Sequence, residues 1–145
     1  MPVFKIPLEA VPQGRPRFVN GHAVDPPKSR AFKKEFLTLL QASNGYSHKY
    51  EKTPLEYPVK SPVSVRIEIY RPASKFPKSG VISPKYGDID NLVKPIFDAI
   101  NGVIWQDDRQ VFELEVKKYL ANKPMIIIRI NEYSQMAIEN VIEFE

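Results

Sequence analysis

Gly87-Asp88-Ile89-Asp90-Asn91-Leu92-Val93-Lys94-Pro95-Ile96-Phe97-Asp98-Ala99-Ile100-Asn101-Gly102-Val103-Ile104-Trp105-Gln106-Asp107-Asp108-Arg109-Gln110-Val111 holds a helix, its stop, a turn and the start of a strand. Between Asp90 and Asn101 the apolar residues Val93, Ile96, Phe97 and Ile100 recur at helical spacing, and Gly102 is placed to end the helix. Pro95 stands inside that helix, where it removes the bond to the carbonyl of Asn91. Asp107-Asp108 then predicts a turn ahead of a strand.

Upstream of this stretch, Val63–Tyr70 alternates cleanly, with Val63, Val65, Ile67 and Ile69 on one face of a predicted strand. The intervening residues 71–87 carry Arg71, Lys75, Lys78 and Lys85 without an acidic residue and predict a long basic loop. Downstream, Val111–Tyr119 and Met125–Asn131 predict two strands, joined as a hairpin around Ala121-Asn122-Lys123-Pro124. The tail from Ser134, apolar and acidic by turns, is assigned to no element.

Near the start, Val3–Leu8 predicts a short strand in which Pro7 marks an edge or an end. A basic loop, Gln13–Arg17, follows. Phe18-Val19 and Ala23-Val24 flank Asn20-Gly21, a dipeptide suited to the positive φ of a tight hairpin. Ser29 is a candidate cap for a helix to about Gln41, its stripe formed by Phe32, Phe36, Leu39 and Leu40, and residues 43–62 read as a loop. The order is strand, helix, strand, acidic helix and two strands, in one domain over residues 1–145.

The chain has 145 residues, 43% hydrophobic and 26% charged, which suffices for one packed core. It has no cysteine, which excludes disulfides, thiolate metal sites and a cysteine nucleophile. His22 and His48 are the only imidazoles. With no apolar run of membrane-spanning length and no basic-then-apolar leader, a soluble, cytoplasmic protein is expected. Charge is unevenly spread: 15 basic and 6 acidic residues up to Gly87, then 6 basic and 11 acidic from Asp88. A basic surplus suits a polyanion, because Lys and Arg neutralise phosphates and release counterions. Arg15, Arg17, Lys75, Lys78 and Lys85 lie in acid-poor loops and are the candidate phosphate contacts.

The carboxylates suggest a second chemistry. Asp88 and Asp90 are two residues apart, so in an extended approach they point the same way, into a helix N-terminus that favours negative charge. Asp90, Lys94 and Asp98 are spaced four apart along one helix face. A helix of about 12 residues is about 18 Å long, so Asp107-Asp108 returns to its start only through tertiary packing. Clustered Asp oxygens repel unless a cation neutralises them, and without histidine the compatible ion is a hard divalent one such as Mg²⁺. The ordinary alternative stands beside this reading: Asp88 as a cap, Asp90 and Asp98 as ion-pair partners of Lys94, Asp107-Asp108 as a turn, and Phe97 and Trp105 as core.

The run D-I-D-N-L-x-K-x-x-x-D-A-I-N-G-V-I-W-x-D-D-x-Q-V, Asp88 to Val111, resembles the signature of the RusA family of Holliday junction resolvases. The short Gly14–Arg17 segment after the first strand is similar to phage-type members. The resemblance implies a RusA-like α+β fold, a small mixed sheet packed with two main helices, and a metal-dependent endonuclease that resolves four-way DNA junctions by paired nicks in recombination and repair, acting as a homodimer. It makes Asp88, Asp90 and Asp108 the metal-binding catalytic carboxylates, with Mg²⁺ or Mn²⁺ as cofactor, and Lys94 the functional lysine. Asp98 and Asp107 occupy supporting acidic positions, and Asn91 stands where it can orient the second carboxylate. The alternatives are a non-catalytic architectural DNA-binding protein, or a nuclease of flaps or forks.

Overall fold

A computed structural model describes residues 2–14, 17–24, 26–43, 57–72, 81–82, 87–133 and 143–145. Arg15, Lys75, Lys78 and Lys85 lie outside the described residues, as do the side chain of Arg17 and most of the tail. Among the described residues, no helix is long and apolar enough to cross a membrane.

The elements run β1 (Val3–Ile6), β2 (Arg17–Val19), β3 (His22–Val24), α1 (Pro27–Ala42), β4 (Val63–Pro72), β5 (Val81–Ile82), α2 (Ile89–Ile100), β6 (Val111–Ala121) and β7 (Met125–Glu132). Five strands form a mixed sheet in the order β1-β7-β4-β6-β5, and β2 and β3 form a separate ribbon. This is the predicted α+β class, with two helices on the sheet. The alternating pattern of β4 buries Val63, Val65, Ile67 and Ile69, and β7 adds Ile126, Ile128 and Ile130 to the same face. Against them α1 packs Phe32, Phe36 and Leu40, and α2 packs Leu92, Val93, Ile96 and Ile100.

The structure corrects the strand connectivity. β6 and β7 are not a hairpin: β4 lies between them, parallel to β6 and antiparallel to β7. With its apolar face fully covered, β4 gains most at the centre of the sheet, where both of its backbone edges are hydrogen-bonded. Crossing from β6 to β7 over one strand requires roughly 10 Å, which three linking residues span. Two further differences are local. The predicted loop 71–87 contains β5, paired with Leu120 and Tyr119 of β6. Ser29 does not cap α1, which starts from Pro26 with Pro27 in its first turn. Its buried hydroxyl accepts the N–H of Gly14 at 3.4 Å instead.

On the outer face of the sheet, Tyr70 stacks on Tyr119 with ring centroids 5.1 Å apart and donates to Glu68 Oε2 at 2.7 Å. That bond to Glu68, aided by burial, pushes the Tyr70 phenol up to about 12. Arg129 pairs with the other Glu68 oxygen. Burial acts to raise the Glu68 carboxyl, but Tyr70 and Arg129 outweigh it and hold it below its ordinary value.

Candidate active site

Gly87 opens the site. Its φ of +99° is a conformation that only glycine adopts freely, and it turns the chain into α2. Lys118, on β6, fixes that turn by donating from Nζ to the Gly87 carbonyl at 2.7 Å. Asp88 follows as the N-cap residue in extended conformation, yet its side chain makes no capping hydrogen bond. The capping role that would have consumed its carboxylate is therefore not realised. Asp90 lies in the first turn, where the helix dipole favours a negative charge. Asp88, Asp90 and Lys94 are all solvent-exposed.

The return from the far end of α2 rests on buried aromatic packing. Gly102, at φ +80°, follows the Asn101 cap and ends the helix as its sequence position predicts. Ile104 and Trp105 are fully buried, and Trp105 meets Phe97 edge-to-face with centroids 5.2 Å apart. Its indole N–H donates to Asn101 Oδ1 at 2.6 Å. A 3₁₀ turn, Asp108–Gln110, then leads into β6. Asp107 caps it, accepting the Arg109 N–H at 2.9 Å, and this main-chain bond leads the causes that hold its carboxyl below the ordinary value.

Gln110 is an organiser that sequence reading missed. Its Oε1 accepts the N–H groups of Gln106 and Asp107 at 2.9 and 3.0 Å. Its Nε2 donates to the carbonyls of Val59 and Ser61 at 2.8 and 2.9 Å. One side chain thus ties the turn to the strand-like segment ahead of β4. Glutamine is common in turns, and no local pattern signals that its partners lie some 50 residues away.

With the turn held in this way, Asp90 and Asp108 line one cavity of about 330 Å³ together with Lys94. Ile89, Val93, Phe97 and Leu114 supply its apolar wall. Two charges of one sign and one of the other thereby share one apolar-walled cavity that is open to solvent. Asp88 is not among the described residues lining this cavity, and no three acidic or imidazole side chains among the described residues form a metal-holding cluster.

Asp98 and Asp107 have other partners. Asp98 pairs with Lys33 of α1 at 3.4 Å, joining the two helices, while Asp107 is occupied in its turn. Among the described residues, Lys94 forms no ion pair with Asp90 or Asp98. Asn91 is exposed, and its main chain carries the unexpected contact. Pro95 has no N–H to give the Asn91 carbonyl, and the N–H of Gln13 takes that place at 2.8 Å. The segment is anchored further back as well, where the buried Arg71 guanidinium donates to the carbonyl of Ala10. The chain entering Gly14-Arg15-Pro16-Arg17 is therefore fastened to the first turn of the acidic helix.

The two carboxylates that meet at the cavity, Asp90 and Asp108, are groups of the kind a hard cation takes. Asp88, Asp90 and Asp108 offer only carboxylate oxygen, and Mg²⁺ is usually held by one or two carboxylates, waters and substrate phosphate rather than by a complete protein cage.

A family model described as endodeoxyribonuclease RusA matches residues 7–131. The chain is also similar to the uncharacterized protein YqaN of Bacillus subtilis (strain 168), with 34% identity over 146 residues covering 90% of this chain and 96% of that one.

Proposed function

Because the chain belongs to the RusA family of endodeoxyribonucleases, we propose that it is a metal-dependent nuclease of branched DNA that resolves four-way junctions as a homodimer. The observation that carries this reading is the convergence of Asp90, Asp108 and Lys94 on one cavity, with Asp88 two residues ahead of Asp90 and its carboxylate not spent on a capping bond. Asp88, Asp90 and Asp108 would hold Mg²⁺ or Mn²⁺, which when bound supplies charge neutralisation at the scissile phosphate and a water of lowered pKa.

The chain's own residues do the rest. Lys94 offsets negative charge developing on the phosphate, beside the apolar wall of Ile89, Val93, Phe97 and Leu114. Arg15, Arg17, Lys75, Lys78 and Lys85 bind the DNA backbone through phosphates. A two-fold junction needs paired nicks in opposed strands, which a two-fold dimer supplies.

The test is cleavage of labelled four-way junction, fork, flap and linear duplex with Mg²⁺ and with EDTA. Junction cleavage abolished by EDTA and by Asp90→Asn, with junction binding retained in the variant, is expected. EDTA-resistant cleavage refutes the metal dependence, and preference for flaps or forks refutes the junction assignment. Neutralising Arg15 and Arg17 together should flatten the dependence of log K on log[salt], and an unchanged slope removes them from the interface.

A further inference from the structure

The β2–β3 ribbon exposes an aromatic ring that the described residues leave uncovered. Among the described residues its strands pair only with each other, Phe18 opposite Ala23 and Val19 opposite His22. Asn20 and Gly21 at the tip have φ of +52° and +79°, the sign pattern of the tightest hairpin turn. Phe18 is 81% exposed, and the small Ala23 beside it leaves the ring face open. Two-stranded ribbons are marginal in water, so an open phenylalanine on one contributes little to its own stability.

The ribbon's place in the molecule is set by its root. Gln13 is bonded to Asn91 of α2 at 2.8 Å and Gly14 to Ser29 of α1 at 3.4 Å, so the chain leading to the ribbon departs from a point fixed on the two helices. From Gln13 to Phe18 is five residues, a span of at most about 18 Å. That distance is about five base-pair steps along a duplex. DNA that places a phosphate at the Asp90–Asp108 cavity therefore has neighbouring bases within reach of the ribbon. The chain from Ala10 to Val24 contains Arg15 and Arg17 and no carboxylate, which complements a phosphate backbone.

We propose that the β2–β3 ribbon reads the branch point, with Phe18 stacking on a nucleobase left unstacked where strands exchange. The inference rests on the branched-DNA reading and deepens it by assigning the group that discriminates a branch from a duplex. In linear duplex both faces of every internal base are covered by neighbours, so the ring has no platform there. At a branch a base face becomes available, and base–aromatic stacking is indifferent to sequence.

The test uses the full chain in EDTA, so that binding is read without cleavage. Affinities of wild type, Phe18→Ala and Phe18→Trp are compared on a four-way junction and on a duplex of the same sequence. Aminopurine at the crossing reports stacking, and sedimentation reports assembly. Phe18→Ala is expected to weaken junction binding about 5- to 150-fold, the range of one base–aromatic stack. Duplex affinity should stay within about twofold, and Phe18→Trp should restore both junction affinity and the aminopurine signal. Equal weakening on duplex and junction, or none on either, overturns the inference. So does a change in oligomeric state, which would seat the ring on a second copy of the chain. A wild-type junction preference that survives Phe18→Ala defeats this inference alone. A wild type without any junction preference defeats the branched-DNA reading and this inference with it.

Discussion

Replacing Pro95 with alanine tests whether a missing N–H links the basic segment to the acidic helix. In the native chain Pro95 is buried within α2 and leaves the Asn91 carbonyl to Gln13. Alanine returns an N–H at that position and removes the ring that crowds the carbonyl, a gain of about 3 kcal/mol in a helix interior. Three losses oppose it. Two ring methylenes leave a buried site, about 1.6 kcal/mol. The bond from Gln13 contributes about 1 kcal/mol. The unfolded chain gains freedom worth roughly 0.4–1 kcal/mol. These terms cancel to within about 1 kcal/mol, so the urea midpoint should barely move. The local effect is large by contrast, because the regained helical bond competes for the carbonyl that Gln13 uses. Amide hydrogen exchange at Gln13 should accelerate about tenfold or more, with Gln13→Ala, which keeps the main-chain donor, as the control. Unchanged exchange at Gln13 in a folded Pro95→Ala protein would show that the carbonyl serves both donors and that the proline matters only for packing.

Three further outcomes follow from the site and the sheet. Lys94→Met keeps the apolar stem and deletes the charge. An exposed ion pair accounts for only about 0–1 kcal/mol, whereas a cation beside the reacting phosphate accounts for several, so single-turnover cleavage should fall about 100-fold or more with the melting temperature and junction affinity nearly unchanged; a near-native rate would make Lys94 a surface charge. Gln110→Ala removes four hydrogen bonds at the turn and should cost roughly 2 kcal/mol in chemical denaturation, besides slowing cleavage through the loosened Asp108; full stability would show that water replaces the amide. Tyr70 should titrate near 12 rather than 10, by phenolate absorbance. Because its folded value is raised, the associated stability is complete below pH 10 and lost as pH climbs through about 12, and Glu68→Gln should bring the midpoint down.

The parts of the fold legible in the sequence are those specified by neighbours. Alternation in Val63–Tyr70 gives β4 its buried face, helical spacing gives α2 its stripe, and Asn20-Gly21 gives the ribbon its turn. Each depends on a backbone period or a permitted φ within a few residues. The carboxylates and Lys94 were equally visible as residue types in a fixed spacing. What spacing left open was their use. Asp98 meets Lys33 across the helix pair rather than Lys94, and Asp107 caps a turn while Asp108, one residue later, reaches the cavity.

Tertiary structure alone decided the arrangements that join distant parts of the chain. The insertion of β4 between β6 and β7, the return of Asp108 to Asp90 behind a buried Trp105, the grip of Gln110 on Val59 and Ser61, and the bond from Gln13 to Asn91 are all of this kind. Every one pairs groups that are ordinary in their own surroundings: a strand edge, an aspartate in a turn, a glutamine amide, a carbonyl released by proline. The hydrogen-bonding partners among them are selected only when the core closes, because a buried donor or acceptor left unmatched costs more than the bond it forms contributes, whereas Asp108 reaches the exposed Asp90 because the buried Trp105 segment turns the chain back. Local sequence sets which groups are on offer, and the requirement that buried polar groups be satisfied sets which of them meet.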